Sequence, residues 1–529
     1  MAKIKGFVIK SVSPALLAFF SSRVQIAFLF IFFTLNAALF IGAVPVFHDV
    51  LDTEPLHPTY AGAADGQRYW GVAKNLLGRG TFHYELTGGV QQPLKRGGPI
   101  PSLVFAGSIG LVGFDHGPLI IVALQAFLLY LTGLLSRRLA KPFSINRNLV
   151  QGLVLFNPSL IGLAHHAQSE ILFLFFFTYL LSLCVRLLDD IRPSRSVFIS
   201  IGICSGLLLL TRPAGLAFVL ALPLVLTVSI FLAKRGVIRT ARQFLRQILP
   251  ASIVAALVVS PWVIHNYQEF GQSGFTHGSN SVLRLNHLYL LSAIQLPGDA
   301  PPEEQILGDL IQRANKINQD PCCIALHLQD IVDASNEVDR YQCGLLASQP
   351  NCSAIIDSLH LAGIKDKTVR GWSRALLTAW ISTYVGGGIY PIASYLGLVT
   401  PDRKLLQKQA EGLARYKNYF FTAMRLFPAY SILFLVGITF SIAGRIMGII
   451  GFTLSIRKLS LIPYHFLYLC PVAIFTATYL FIGVSRFRAH LEPILAIYAV
   501  IGIVALLRVL QHWFSSLSQS KSQKDSGLR

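Results

Sequence analysis

A succession of long apolar runs dominates this chain and constrains its fold more than any other feature. They are Val24–Val44, Leu119–Leu135, Leu149–Ala164, Ile171–Val185, Val197–Leu210, Leu216–Leu232, Ile248–Ile264, Tyr430–Ile450, Leu461–Gly483 and Ile494–Leu510. A helix crossing the hydrocarbon of a bilayer needs about 20 mostly apolar residues, fewer where neighbours shield it. Only 13% of the 529 residues are charged, against about 25% in a soluble globular chain. Much of the surface must therefore face lipid. The expected fold class is an all-α polytopic membrane protein. It has about ten transmembrane helices, surface helices in the first outer loop and a soluble outer domain.

The formal net charge of +20 would suit nucleic acid if it formed one patch. It does not: the basic residues stand in short runs between the apolar stretches, as in the cytoplasmic loops of membrane proteins. No nucleic-acid partner is expected. Lys3, Lys5, Lys10 and Arg23 precede the first run. That run is too long for a signal-peptide core and lacks a small-residue cleavage site, so it reads as a first span with its N-terminus inside. Alternation then makes Arg137 to Arg147, Arg186 to Arg195, Lys234 to Arg246, Arg457-Lys458 and the tail with Lys521 and Lys524 cytoplasmic. All are basic, as the positive-inside rule requires. The agreement needs Pro99–Gly113 to lie along the outer surface rather than cross.

This topology divides the chain into a seven-span membrane module over 1–265, with its first outer loop at 45–118. An extracytoplasmic segment follows over 266–426, then a three-span part over 427–510 and a basic cytoplasmic tail over 511–529. The expected location is a plasma (inner) membrane with the site facing the periplasm or outside. Cys322, Cys323, Cys343 and Cys352 all fall in the outer segment. Four is an even number, and disulfides persist in oxidising compartments, so one or two disulfides are expected there. The spacings lack the paired C-x-x-C of a zinc site. Asn351-Cys352-Ser353 also matches a glycosylation acceptor, a motif common by chance.

Polar residues gather at span ends on the outer side. The first outer loop carries His48, Asp49, Asp52, Glu54, His57, Asp65, His83 and Glu85. The second carries His165, His166 and Glu170, the third Thr211-Arg212-Pro213, and the last Ser485-Arg486-Phe487-Arg488 through Glu492-Pro493. Any one of these could be a snorkelling cation or a helix cap. Ionisable groups at a span edge are costly, however, and carboxylates, histidines and arginines together on one face indicate a site. Asp65 opens an amphipathic stretch containing Tyr69, Trp70, Val72, Ala73, Leu76 and Leu77. A carboxylate there can cap helix N–H groups, or take a proton from an attacking hydroxyl at the membrane surface.

The order of these pieces resembles the type C glycosyltransferases, the polyprenyl-phosphate-sugar-dependent enzymes that include protein O-mannosyltransferases and lipid A aminoarabinose transferases. The matching pieces are Asp65-Gly-Gln-Arg-Tyr-Trp, Arg96-Gly-Gly-Pro-Ile-Pro, Ser169-Glu170, Gly206 with Leu210-Thr211-Arg212-Pro213, and Pro261-Trp262 through Tyr267 with Phe270-Gly271. The last is Ser485-Arg486-Phe487-Arg488 through Glu492-Pro493. The resemblance implies a seven-span module, two surface helices in the first outer loop and a large outer domain. It implies Asp65 as catalytic base and Arg212, Arg486 and Arg488 as donor-phosphate ligands, a task suited to the planar guanidinium fork. This chain departs from the pattern where Gly66 follows Asp65 in place of a second acid, and where His265 replaces an arginine. Its four-cysteine segment has no counterpart.

Neither a phosphate-cradling G-x-x-x-x-G-K-[ST] nor a dinucleotide fingerprint occurs in the polar parts. A sugar already carried across the membrane on a lipid phosphate fits an outward-facing site. The expected reaction is inverting transfer from a polyprenyl-phosphate sugar to a lipid, glycan or protein acceptor. His83, Glu85, His166 and Glu170 are candidate acceptor contacts or ligands of a divalent metal ion. The alternatives are a transporter or flippase of a lipid-linked sugar, a lipid-linked glycan ligase or polymerase, and a receptor whose outer segment binds ligand.

Overall fold

The apolar runs fold as helices. The computed structural model describes residues 23–40, 64–85, 91–94, 98–190, 193–233, 236–237, 240–241, 244–270, 281–294, 302–317, 352–389, 392–393, 421, 424–482 and 485–526. Helix α1 (Arg23–Phe40) is the first of eight helices, among these residues, that are long and apolar enough to cross a membrane. The loop 45–118 contributes α2 (Ala64–Arg79) and an antiparallel ribbon of β1 (His83–Glu85) and β2 (Gln91–Pro93), with Tyr84 opposite Gln92.

Helix α3 (Pro99–Leu139) is interrupted at Gly113, whose φ of 81° and ψ of 175° lie outside any helix. Glycine adopts such a backbone without a Cβ clash. The break separates a short apolar helix, Pro99–Phe114, from the span His116–Phe143. It falls where the sequence divides the surface segment from the span.

One expected span is not continuous. Leu149–Ala164 forms α4 (Arg147–Leu155) and α5 (Pro158–Ala164). Pro158 has no N–H and its ring clashes with the preceding turn, so the helix must restart there. Asn157 caps the restart, its side-chain oxygen accepting from the Ser159 amide at 3.0 Å. Helices α6 (Glu170–Asp189), α7 (Arg195–Thr211), α8 (Leu216–Leu232) and α9 (Leu249–Phe270) complete the first module. Helix α7 has 17 residues and falls among the shorter apolar helices. The ten runs thus become eight long helices, one shorter helix and one broken pair.

Four helices of the segment 266–426 are described: α10 (Ser281–Ile294), α11 (Pro302–Lys316), α12 (Cys352–Lys365) and α13 (Val369–Trp380). Helices α10, α11 and α12 pack around Leu291, Ile306, Leu310, Ile356 and Leu359, and α13 packs through Ala375 against Leu290 and Ile364. The Arg284–Asp357 pair at 2.8 Å and the His287–His360 hydrogen bond at 2.7 Å join α10 to α12. Cys322, Cys323 and Cys343 lie outside the described residues. Cys352 opens α12, and its side chain lies outside them too.

The C-terminal part comprises α14 (Pro428–Ser455), α15 (Ile462–Thr478), the 3₁₀ turn Ser485–Leu491 and α16 (Glu492–Ser526). Helix α16 runs on through most of the expected basic tail. Asn286 of α10 accepts a hydrogen bond from the Phe481 amide at 2.8 Å, and Trp372 of α13 meets the Phe481 ring edge-on at 5.3 Å. The segment 266–426 is thereby fastened to the connection that leads from α15 into the 3₁₀ turn.

Candidate active site

Three separate chain breaks deliver the charged side chains of the site. Glu170 lies in the first turn of α6, where the exposed helix amides favour a carboxylate. Arg212 is the residue that ends α7. Its backbone is extended (φ −147°, ψ 129°) because Pro213 follows and disfavours the helical conformation at the preceding position. Arg486 belongs to the 3₁₀ turn before α16.

These residues, 316 positions apart at the extremes, meet in one place. An Arg212 guanidinium nitrogen lies 2.6 Å from a Glu170 carboxylate oxygen, and an Arg486 nitrogen lies 3.8 Å from the same oxygen. Glu170 is buried, Arg212 nearly so, and Arg486 is about a third exposed, with 32% of its side chain accessible. Burial opposes the charge of Arg212. Glu170 outweighs it, with help from Tyr479 and Tyr69, and holds the guanidinium pKa above its ordinary value. Both guanidiniums lie over the Phe487 ring, at 5.9 Å and 5.1 Å from its centroid, and Tyr479 stacks on that ring at 4.1 Å. His490 and Phe173 complete the wall of the pocket. One carboxylate between two guanidiniums leaves one positive charge over, at a recess where Arg486 meets solvent. A surplus guanidinium charge is suited to pairing with an anion.

The first outer loop is pressed onto this pocket. A Cβ at Gly98 would stand 1.8 Å from the Leu210 carbonyl oxygen and 2.9 Å from the Thr211 nitrogen, so only glycine lets the loop reach the end of α7. Tyr69 of α2 packs with Phe105, Ala167, Leu209 and Leu210 in a common core. Tyr69 is also close enough to Arg212 to act on its charge. Asp65 stands one helical turn before Tyr69, in the first turn of α2. Its side chain lies outside the described residues, as do His48, Asp49, Asp52, Glu54, His57 and Arg96.

Arg488, expected beside Arg212 and Arg486, faces the other way. Its guanidinium bonds Glu492 at 2.8 Å, the Thr383 carbonyl at 2.6 Å and the Ser441 hydroxyl at 2.8 Å. Arg445 of α14 pairs with the same Glu492 and donates to the Tyr384 carbonyl at 3.1 Å. A second pocket adjoins this network, lined by Trp380, Thr383, Tyr384, Thr476 and Arg488 and sharing Tyr479 and Phe487 with the first. The sequence reading missed Arg445. Its signal was a lone cation inside an otherwise apolar helix, which calls for a buried acid nearby.

The remaining candidates serve the frame around the site. His83 contacts Glu269 of α9 at 3.1 Å, and its carbonyl accepts from Asn75 at 2.9 Å. Glu85 lies in β1, with its side chain outside the described residues. The His166 carbonyl accepts from Gln125 at 2.8 Å. His165 is bonded to Asn36 of α1 at 2.9 Å. Burial, with His166 beside it, pushes its pKa down to about 4, so it is neutral near pH 7. His265 stacks on Trp262 at 5.1 Å. Among the described residues no three His, Cys, Asp or Glu side chains come together to hold a metal ion. Glu170, the strongest candidate ligand, is engaged by two guanidiniums instead. The described donors do not fit a metal centre.

Fold and site together define a polytopic helical membrane protein with a recessed cationic pocket at the ends of its spans. No protein family matches the sequence, and no curated protein does. Solved structures to which the chain is similar include the archaeal oligosaccharyltransferase AglB from Archaeoglobus fulgidus in complex with an inhibitory peptide and a dolichol-phosphate. The match has 12% identity and a TM-score of 0.44, and covers 87% of this chain and 48% of that one. The chain thus spans about half the length of that oligosaccharyltransferase. ArnT from Cupriavidus metallidurans bound to undecaprenyl phosphate matches at 15% identity and a TM-score of 0.33, over 89% of this chain and 78% of that one. The Archaeoglobus fulgidus enzyme in complex with zinc and sulfate matches at 13% identity and a TM-score of 0.27, over 67% of this chain and 52% of that one.

Proposed function

We propose that the protein is a membrane glycosyltransferase that moves a sugar from a polyprenyl-phosphate donor to an acceptor hydroxyl on the extracytoplasmic face. The observation that carries this reading is the surplus positive charge of Arg212 and Arg486 around Glu170, with the helix of Asp65 packed against it. The motif resemblance in the sequence points to the same chemistry.

The reaction is a single displacement. The Asp65 carboxylate accepts the proton of the acceptor hydroxyl as its oxygen attacks the anomeric carbon. The bond from that carbon to the lipid-phosphate oxygen breaks, and its electron pair stays on the phosphate. Configuration at the anomeric carbon inverts. Arg212 and Arg486 stabilise the charge that grows on the leaving phosphate; because they are already placed, little reorganisation is needed as it forms. Arg488 supports both by fixing the turn on which Arg486 stands. The acceptor class is a lipid, a glycan or a protein.

Purified protein in lipid nanodiscs, supplied with a polyprenyl-phosphate sugar and acceptor, should release free polyprenyl phosphate. Asp65→Asn should lower that rate by about 10²- to 10⁴-fold without changing donor binding. A rate near wild type would remove Asp65 as the base. Movement of intact lipid across the bilayer without release would favour a flippase instead.

A further inference from the structure

Helix α13 has two unlike faces. Gly371, Ala375 and Ala379, four residues apart, form the face turned into the protein, and Gly371 approaches Ile294 of α10 so closely that a Cβ would stand 2.9 Å from its side chain. The opposite face presents Val369, Leu377, Trp380 and Ile381, which are 84%, 60%, 48% and 51% exposed. Arg370 and Arg374, also exposed, flank it. Helical periodicity puts these apolar residues and both arginines on a single arc of the surface.

The height of this helix is set by the spans. It continues into the π turn Ile381–Val385, where the Tyr384 hydroxyl bonds Thr476 near the end of the span Leu459–Thr478. The Thr383 carbonyl accepts from Arg488 at the start of the span Arg486–Trp513. Trp380 and Ile381 therefore stand beside the ends of these two spans.

We propose that α13 is an interfacial helix that beds its apolar face in the leaflet on the side of the cationic pocket, with Arg370 and Arg374 on the phosphates of anionic lipids. Three features select lipid as the occupant. The patch is continuous with the membrane boundary, its Trp sits at the depth tryptophan favours, and its flanking charges complement an anionic headgroup layer. Trp380 also walls the second pocket, so the leaflet holds that wall in place. The inference is independent of the transferase reading.

The test uses the full-length protein in nanodiscs of phosphatidylcholine alone or mixed with phosphatidylglycerol. Wild type and Trp380→Phe are compared, and the difference isolates the fluorescence of Trp380 from the other tryptophans. A lipid with a nitroxide high on its acyl chain should quench that component, and aqueous iodide should not. Arg370→Glu with Arg374→Glu should cut the phosphatidylglycerol-dependent part of the quenching about twofold or more. Quenching of Trp380 by iodide, or by neither agent because a protein partner or second copy covers it, overturns the proposal. Quenching that ignores both arginines and phosphatidylglycerol overturns the anionic-lipid part.

Discussion

Two clusters with the same composition flank the 3₁₀ turn Ser485–Leu491. On one side Glu170 lies between Arg212 and Arg486; on the other Glu492 lies between Arg488 and Arg445. They differ in what the arginines do with their remaining donors. Arg488 spends them on the Thr383 carbonyl and the Ser441 hydroxyl, and only 2% of its side chain is accessible. Arg486 keeps nearly a third of its side chain accessible at the mouth of a pocket. A guanidinium buried among protein oxygens holds structure, and one at the mouth of a recess can meet a ligand. Residue type does not separate the two roles; the partners do.

The contrast can be broken most sharply at Glu492. Glu492→Gln strands two buried guanidiniums and should cost about 3–5 kcal/mol of stability, seen as a large fall in Tm or loss of folded protein from detergent. Arg486→Ala should leave Tm nearly unchanged and lose one charge-assisted contact to the phosphate, worth about 1.5–3 kcal/mol, or roughly 10- to 100-fold in transfer rate. If Arg486→Ala unfolds the protein and Glu492→Gln does not, the assignment of the two clusters is reversed. Acid probes a third environment. Burial pushes His287 and His360 below the ordinary imidazole pKa, and the positive charges of Lys367 and Arg313 near His287 and Arg284 near His360 add to it, while Asp309 opposes it at His287. The unfolded chain takes up protons near pH 6.5 while the folded pair stays neutral, so this contribution is full above about pH 6.5 and is lost as pH falls below it. Tm should decline across that window, and less so in His287→Asn/His360→Asn, measured by thermal unfolding at stepped pH. Arg486→Lys retains charge without the planar fork, and a loss of about threefold in rate is the smallest effect expected.

The spans were legible because hydropathy acts over a whole helix, and eight of the ten runs fold as helices long and apolar enough to cross a membrane. The Pro99–Gly113 division was legible for the same reason, since glycine and proline punctuate it. Leu149–Ala164 was not, because its average hydropathy hides the Asn157-Pro158 restart. At the site, the sequence supplied Arg212, Arg486 and Glu170, but as separate candidates. Their convergence depends on a glycine contact at Gly98 and on an arginine ending a helix, neither of which has a periodic signature. It also gave Arg486 and Arg488 equal weight, since two residues apart on a chain reveal nothing of which way each turns.

The fastening of Asn286 to the Phe481 amide has a bearing on how such a protein could be re-engineered. Exchanging 266–426 for the corresponding segment of another protein would leave Phe481 without Asn286 and Trp372, a few residues before the turn that carries Arg486. A functional chimera would need to carry 479–491 along with the outer segment. The natural unit of exchange is discontinuous, two stretches separated by two membrane crossings.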